Sequence, residues 1–275
     1  MDFFRNIYYN YGIGEKESEE LVMKLGAQLF SVRTFLQSEQ DLRQTFQRIR
    51  EIGYETVQLS GAAAFSAELI REVSEQNGLP VVCTHTAFDR ILQDTDNVIC
   101  EHRTFGCPVV GLGMMPKKYH GTREGLEAFL KTVEIPVRKI KDAGLSFAYH
   151  NHAFEFLPFE DGGNAYDTML EYLPDWHFIM DTYWVEFAGK SAAEYIRRIG
   201  KTRLVNVHFK DMATDGKRSI CACGDGCLDF TDLHRVCQEV DVQNVLVEQD
   251  NAVNASDPFT EMERSFRHLR PIIFE

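Results

Sequence analysis

The sequence predicts an α/β protein built as a single-domain (β/α)8 TIM barrel, and three observations predict it. Eight short apolar runs recur from residue 24 onward. Amphipathic stretches alternate with them, which implies parallel strands joined by right-handed crossovers. The first run is followed by SVRTFLQSEQD, residues 31–41, which holds no glycine. An open doubly wound sheet usually carries a Gly-rich phosphate loop at that place. At 275 residues, closure into one barrel is the leading solution. The barrel is expected over residues 23–275, after an N-terminal extension over 1–22.

The strands are expected at KLGAQLF (24–30), ETVQLS (55–60), PVVCTH (80–85), PVVGLGM (108–114), LSFAYHNH (145–152), WHFIMDT (176–182), RLVNVHFKD (203–211) and NVLVEQD (244–250). Helix LRQTFQRIREIG (42–53) puts Leu42, Phe46 and Ile49 on one face and ends at a glycine, as SAELIREVSEQNG (66–78) also does. The long segment 125–144 contains Pro136, so a kink or break is expected there. Segments 194–200, 230–240 and 257–269 complete the helical set, with short loops leading from the sixth and seventh strands into helices. Residues 1–22 are rich in Phe and Tyr and then acidic (EKESEE). They either cap the barrel bottom, extend the interface of a homo-oligomer or stay partly mobile.

Hydrophobic content of 44% and charged content of 26% are ordinary for a globular chain. The net charge of −13 repels nucleic acid and anionic membrane, and no run approaches the length of a membrane span. Seven cysteines, an odd number, without a basic and apolar leader argue for reduced thiols in a cytoplasmic protein. CACGDGC (221–227) reads as a Gly-rich loop rather than a zinc knuckle, which wants four ligands in paired spacing.

Active sites of such barrels gather at the C-terminal ends of the strands. The fifth run ends in His150 and His152, placed side by side by the period of 2. The sixth ends at Asp181, the seventh at His208 and the eighth at Glu248. Alternation puts Asn206, His208 and Lys210 on one face of the seventh strand, and Leu246, Glu248 and Asp250 on one face of the eighth. Buried carboxylates cost several kcal/mol unless paired or metal-bound. Mixed Asp, His and Glu donors suit a divalent ion such as Mn, Zn, Co or Mg.

YHNHAFEF (149–156), MDTYWVEFAG (180–189), VHFKD (207–211), GDGCLDF (224–230) and VEQD (247–250), with GAQLFSVR (26–33) and GYETVQLSG (53–61), carry a resemblance. The chain resembles the xylose isomerase-like TIM barrels, the sugar phosphate isomerase/epimerase group that also includes inosose dehydratases, ketose 3-epimerases and endonuclease IV. The resemblance spans about residues 23–272. It implies a divalent metal on Asp181, His208, Glu248 and a strand-five residue. Ketose epimerases of the group carry a Glu at that last position and exchange protons between two carboxylates. Here the matching residue is His150, so either His150 is the fourth ligand or Glu155 reaches in from the next loop.

The implied chemistry is proton abstraction α to the carbonyl of a ketose or keto-cyclitol through a metal-stabilised enediolate. Glu248 or His152 is the base, and Lys210 either donates to a substrate oxygen or sits in a structural ion pair. His85 is expected at substrate hydroxyls, with Trp184 and Phe30 stacking on the sugar. Loss of a β-hydroxyl makes the same site a dehydratase. An endonuclease IV-like nuclease would need more ligands and a basic face, and a non-catalytic sugar sensor would lack the proton-transfer groups. The only candidate phosphate cradle is the CACGDG loop, so an unphosphorylated sugar or cyclitol is expected.

Overall fold

The computed structural model of the chain describes residues 23–274; the expectations for residues 1–22 lie outside them. Eight parallel strands form one sheet: β1 (Lys24–Gln28), β2 (Thr56–Leu59), β3 (Val81–Thr84), β4 (Val109–Leu112), β5 (Ser146–His150), β6 (His177–Asp181), β7 (Leu204–Phe209) and, after a ribbon of β8 (Asp211–Met212) with β9 (Ile220–Cys221), β10 (Asn244–Val247). The order β3-β2-β1-β10-β7-β6-β5-β4 wraps the sheet into a nearly closed barrel. At the seam, Thr86 N donates to Gly111 O at 2.8 Å. A Cβ on Gly111 would come within 2.1 Å of the Thr84 carbonyl oxygen, so this close approach of β3 and β4 needs a glycine.

The main core lies between the sheet and the helices, and Leu42, Phe46 and Ile49 are fully buried in it, as their spacing predicts. Each such side chain contributes about 1.5–3 kcal/mol. A smaller cluster, Cys83, Val109, Ala148, Ile179 and Val205, is separate from it. Four of these residues stand two before His85, Gly111, His150 and Asp181, so alternation places the cluster inside the barrel beneath the rim. Val205 joins it because the β6–β7 register shifts there: Phe178 pairs with Leu204, and Ile179 pairs with Asn206.

Ser38, Ser66, Thr122 and Ser191 cap the helices that follow them, each accepting a backbone N–H three residues on. Gly53 and Gly78 end two of these helices in the left-handed conformation. The expected break at Pro136 does not occur: the helix runs unbroken from Arg123 to Asp142. Pro136 lies on its buried stripe with Phe129, Val133 and Ile140, and that packing offsets the missing hydrogen bond. The strands stop short of their apolar runs, with β5 ending at His150. The short loops expected after the sixth and seventh strands are also absent. Asp181 is both the last residue of β6 and the cap of helix Thr182–Phe187. The chain from β7 to helix Phe230–Glu239 detours through the ribbon. No helix among the described residues is long and apolar enough to cross a membrane.

Candidate metal centre

Register assembles the site. Asp181 pairs with His208 across β6 and β7, and Leu246 pairs with His208 across β10 and β7, with Glu248 two residues above it. His150 ends the next strand, β5. One donor atom from each of His150, Asp181, His208 and Glu248 lies within 4.8 Å of the others, and all four residues are buried. His150 thus stands in the set, and Glu155 does not.

Each donor is held in place by its surroundings. Trp184 N donates to Asp181 Oδ1 at 3.0 Å, and Asp181 Oδ2 points into the cluster. Gln28 Nε2 donates to Glu248 Oε1 at 3.1 Å. His208 Nε2 meets Gln58 Oε1 at 2.6 Å, and its Nδ1 meets Glu248 Oε2 at 3.0 Å. His150 Nδ1 lies 2.9 Å from the Gly113 carbonyl oxygen, an acceptor only, so Nδ1 carries the proton. Its Nε2, bare when the ring is neutral, faces Asp181 Oδ2 at 3.6 Å and Glu248 Oε2 at 3.9 Å, buried and without a hydrogen-bond partner. A lone pair aimed at two carboxylate oxygens is costly unless a cation or proton sits between them. The donor set therefore fits a divalent ion.

Lys210 is 1% exposed. Its ammonium contacts Asp181 Oδ2 at 3.2 Å, Glu248 Oε2 at 3.1 Å and Asp250 Oδ1 at 2.9 Å. Burial would lower its pKa, but the three carboxylates outweigh burial and raise it. Burial likewise pushes Asp181 and Glu248 up, and the Lys210 charge together with His150, and for Glu248 also His208, more than reverses this, so both are held below the usual carboxylate range. Burial pulls His150 down, while Asp181 and Glu248 bring it above the ordinary histidine value. Burial dominates at His85 and His208, which are both lowered. Burial, then the charges of His150 and Lys210, push His152 down to about 3.

A cavity of about 320 Å³ opens over the cluster, lined by Phe30, His85, His150, His152, Lys210, Glu248 and Asp250 among others. A larger cleft of about 710 Å³, at Gly53, Glu55 and Arg270, lies by the N-terminal ends of the strands and holds none of the grouped donors. His152 lies beyond the end of β5, so strand alternation does not place it. Its ring still stands 5.0 Å from that of His150, and 5.2 Å from that of Trp184. Trp184 flanks Lys210, whose Nζ is 5.4 Å from its ring centroid, without lining the cavity. Glu155 turns away, because the 3-10 turn Phe154–Phe156 folds it under the strand end. It accepts from the Tyr149 hydroxyl at 2.7 Å and from His152 N at 2.8 Å, and burial raises its pKa to about 7.

The CACGDG loop offers no phosphate cradle. Gly224 N, Gly226 N and Leu228 N all donate to the buried Asp211 carboxylate. A Cβ on Gly226 would strike Asp211 Oδ1 at 2.4 Å. Gln28 and Gln58 were missed among the site residues in the sequence. Their signal was present: both are polar residues at or near the ends of apolar strands, the test that singled out Asp181 and His208.

Comparison with known proteins supplies the lineage. No curated protein matches the chain. Among solved structures, a sugar phosphate isomerase/epimerase from Parabacteroides distasonis ATCC 8503 is 19% identical, with a TM-score of 0.72 over 91% of this chain and 99% of its own. L-ribulose 3-epimerase is 13% identical, with a TM-score of 0.70 over 92% and 95%. The "probable 3-DHS dehydratase AsbF" of Bacillus anthracis is 11% identical, with a TM-score of 0.69 over 90% and 99%. At these identities the likeness is one of fold. The family description "Xylose isomerase-like TIM barrel" matches residues 46–272, most of the barrel and all four clustered donors. The chain belongs to the xylose isomerase-like TIM barrel family.

Proposed function

We propose that the protein is a divalent-metal-dependent isomerase or epimerase that removes the proton α to the carbonyl of a ketose or keto-cyclitol. The observation that carries this reading is the unpartnered His150 Nε2 facing Asp181 Oδ2 and Glu248 Oε2. His150, Asp181, His208 and Glu248 would hold Mn, Zn, Co or Mg. When bound, the ion supplies Lewis-acid stabilisation of charge developing on the substrate oxygens. Glu248, kept ionised, and His152, kept neutral by burial, are the proton acceptors at the cavity. His85 Nε2, buried and unpartnered, is placed for a substrate hydroxyl, and Phe30 offers a flat apolar face. Trp184 and Glu155 act one layer back, Trp184 beside His152 and Lys210, Glu155 on the His152 backbone. Seven free thiols support a reducing, cytoplasmic setting.

A second reading, a lyase of the dehydratase type, is favoured by one observation. Glu155 is turned from the cavity, so the two-glutamate proton exchange of ketose epimerases lacks its second member on this strand. A dehydratase needs a single base for proton abstraction, which Glu248 or His152 at the cavity wall can supply. The test has two stages. Metal content is measured in the wild type, Asp181→Ala and His208→Ala; one divalent ion per chain, lost in both variants, is expected. A keto-sugar panel in D2O then separates the readings. Solvent deuterium in an isomer supports the first, loss of water supports the second, and neither would sink both.

A further inference from the structure

We propose that Lys210 is a tethered cation that competes with the divalent ion for Asp181 Oδ2 and Glu248 Oε2, and that it withdraws onto Asp250 as the ion binds. The inference rests on the metal-site reading above and deepens it. An ammonium has three hydrogens and no lone pair. Lys210 has three carboxylate contacts, at 3.2, 3.1 and 2.9 Å, so no N–H is left for a substrate. Two of its acceptor oxygens are the same ones that face His150 Nε2. An ion seated among the four donors would therefore share both oxygens with the ammonium, and like charges at that spacing repel.

Asp250 is built differently from the other two acceptors. It stands outside the four-donor group. Its side chain is 30% exposed, against 0% for Asp181 and 4% for Glu248, and it lines the cavity. It is also the nearest of the three to the ammonium. Withdrawal onto Asp250 keeps Lys210 paired, clears the two shared oxygens and turns the freed N–H groups toward the cavity. Charge agrees with this arrangement. Three carboxylates and one ammonium leave a surplus of two negative charges, which a divalent ion neutralises if both histidines stay uncharged. Lys210 would then reach substrate only in the metal-loaded protein.

The test is Mn(II) binding measured by calorimetry on the wild type, Lys210→Met, Asp250→Asn and the double variant. Lys210→Met is expected to bind Mn(II) about tenfold more tightly and Asp250→Asn about tenfold more weakly, with the Asp250 effect shrinking to about twofold in the Met background. Should Lys210→Met fail to fold, Lys210→Gln, which keeps a donor without the charge, takes its place. Equal or weaker binding in the position-210 variant, or an Asp250 effect of the same size in both backgrounds, overturns the inference. If the wild type itself binds no divalent ion, the metal-site reading falls first and takes this inference with it. Binding in the wild type with no gain at position 210 sinks only the lysine exchange.

Discussion

The two halves of the barrel rim have opposite characters. Strands β1 to β4 lead into Gln28, Ser60, His85 and Gly113, none of them charged near neutral pH. Strands β5, β6, β7 and β10 lead into His150, Asp181, His208, Lys210, Glu248 and Asp250. Yet the neutral half aims the charged one. Gln28 fixes Glu248 and the Gly113 carbonyl sets the His150 tautomer, each from the adjacent strand, and Gln58 reaches His208 across the barrel. The difference teaches that ligand chemistry can be confined to one arc of a barrel while its geometry is set by the other.

The comparison can be broken or sharpened by experiment. The largest effect is expected on the charged arc: Glu248→Gln should lower turnover about 10²–10⁴-fold, read as solvent deuterium entering a substrate of the panel. Unchanged turnover would remove Glu248 from the chemistry. Next, Gln58→Leu on the neutral arc should weaken metal binding about 10–100-fold by calorimetry, because His208 loses its orienting partner. Equal affinity would show that the two arcs act independently. A pH series comes third. His150 must be neutral to offer Nε2, and Asp181 and Glu248 hold its pKa above the ordinary histidine value despite burial. Metal affinity should therefore fall with acidification already above that ordinary value, and affinity flat across that range would exclude His150 as a ligand. The smallest effect is expected from His85→Ala: KM rises about fivefold through one lost hydrogen bond, and bound metal is unchanged.

Much of this was readable beforehand, for a physical reason. Barrel strands are buried on both faces, so a carboxylate or imidazole ending an apolar run stands out, and Asp181, His208 and Glu248 did. His150 and Glu155 could not be separated by spacing. What parts them is the turn at Phe154–Phe156 and the Tyr149 hydroxyl, which are matters of local folding. No break follows at Pro136 because its missing N–H is a local penalty, while the stripe that carries the helix through is tertiary. Asp211 passed unnoticed because its partners are backbone N–H groups, Met212 N beside it and three more 13 to 17 residues away, which leave no side-chain signature. Gln28 and Gln58 stood at strand ends in the sequence, but their partners became visible only once β1 was seen beside β10 and β2 opposite β7.

The seam between β3 and β4 bears on how the molecule breathes. Elsewhere neighbouring strands are zipped by parallel ladders, whereas among the described residues the seam is joined by the one backbone hydrogen bond from Thr86 N to Gly111 O. Local opening starts where the fewest bonds must break. The amides of β3 and β4 should therefore exchange with solvent ahead of those in β6 and β7. Thr86, Ala87 and Gly113, just past the seam, line the cavity wall. The weakest stave of the barrel is thus also a wall of its pocket, so opening there would widen the cavity from that side.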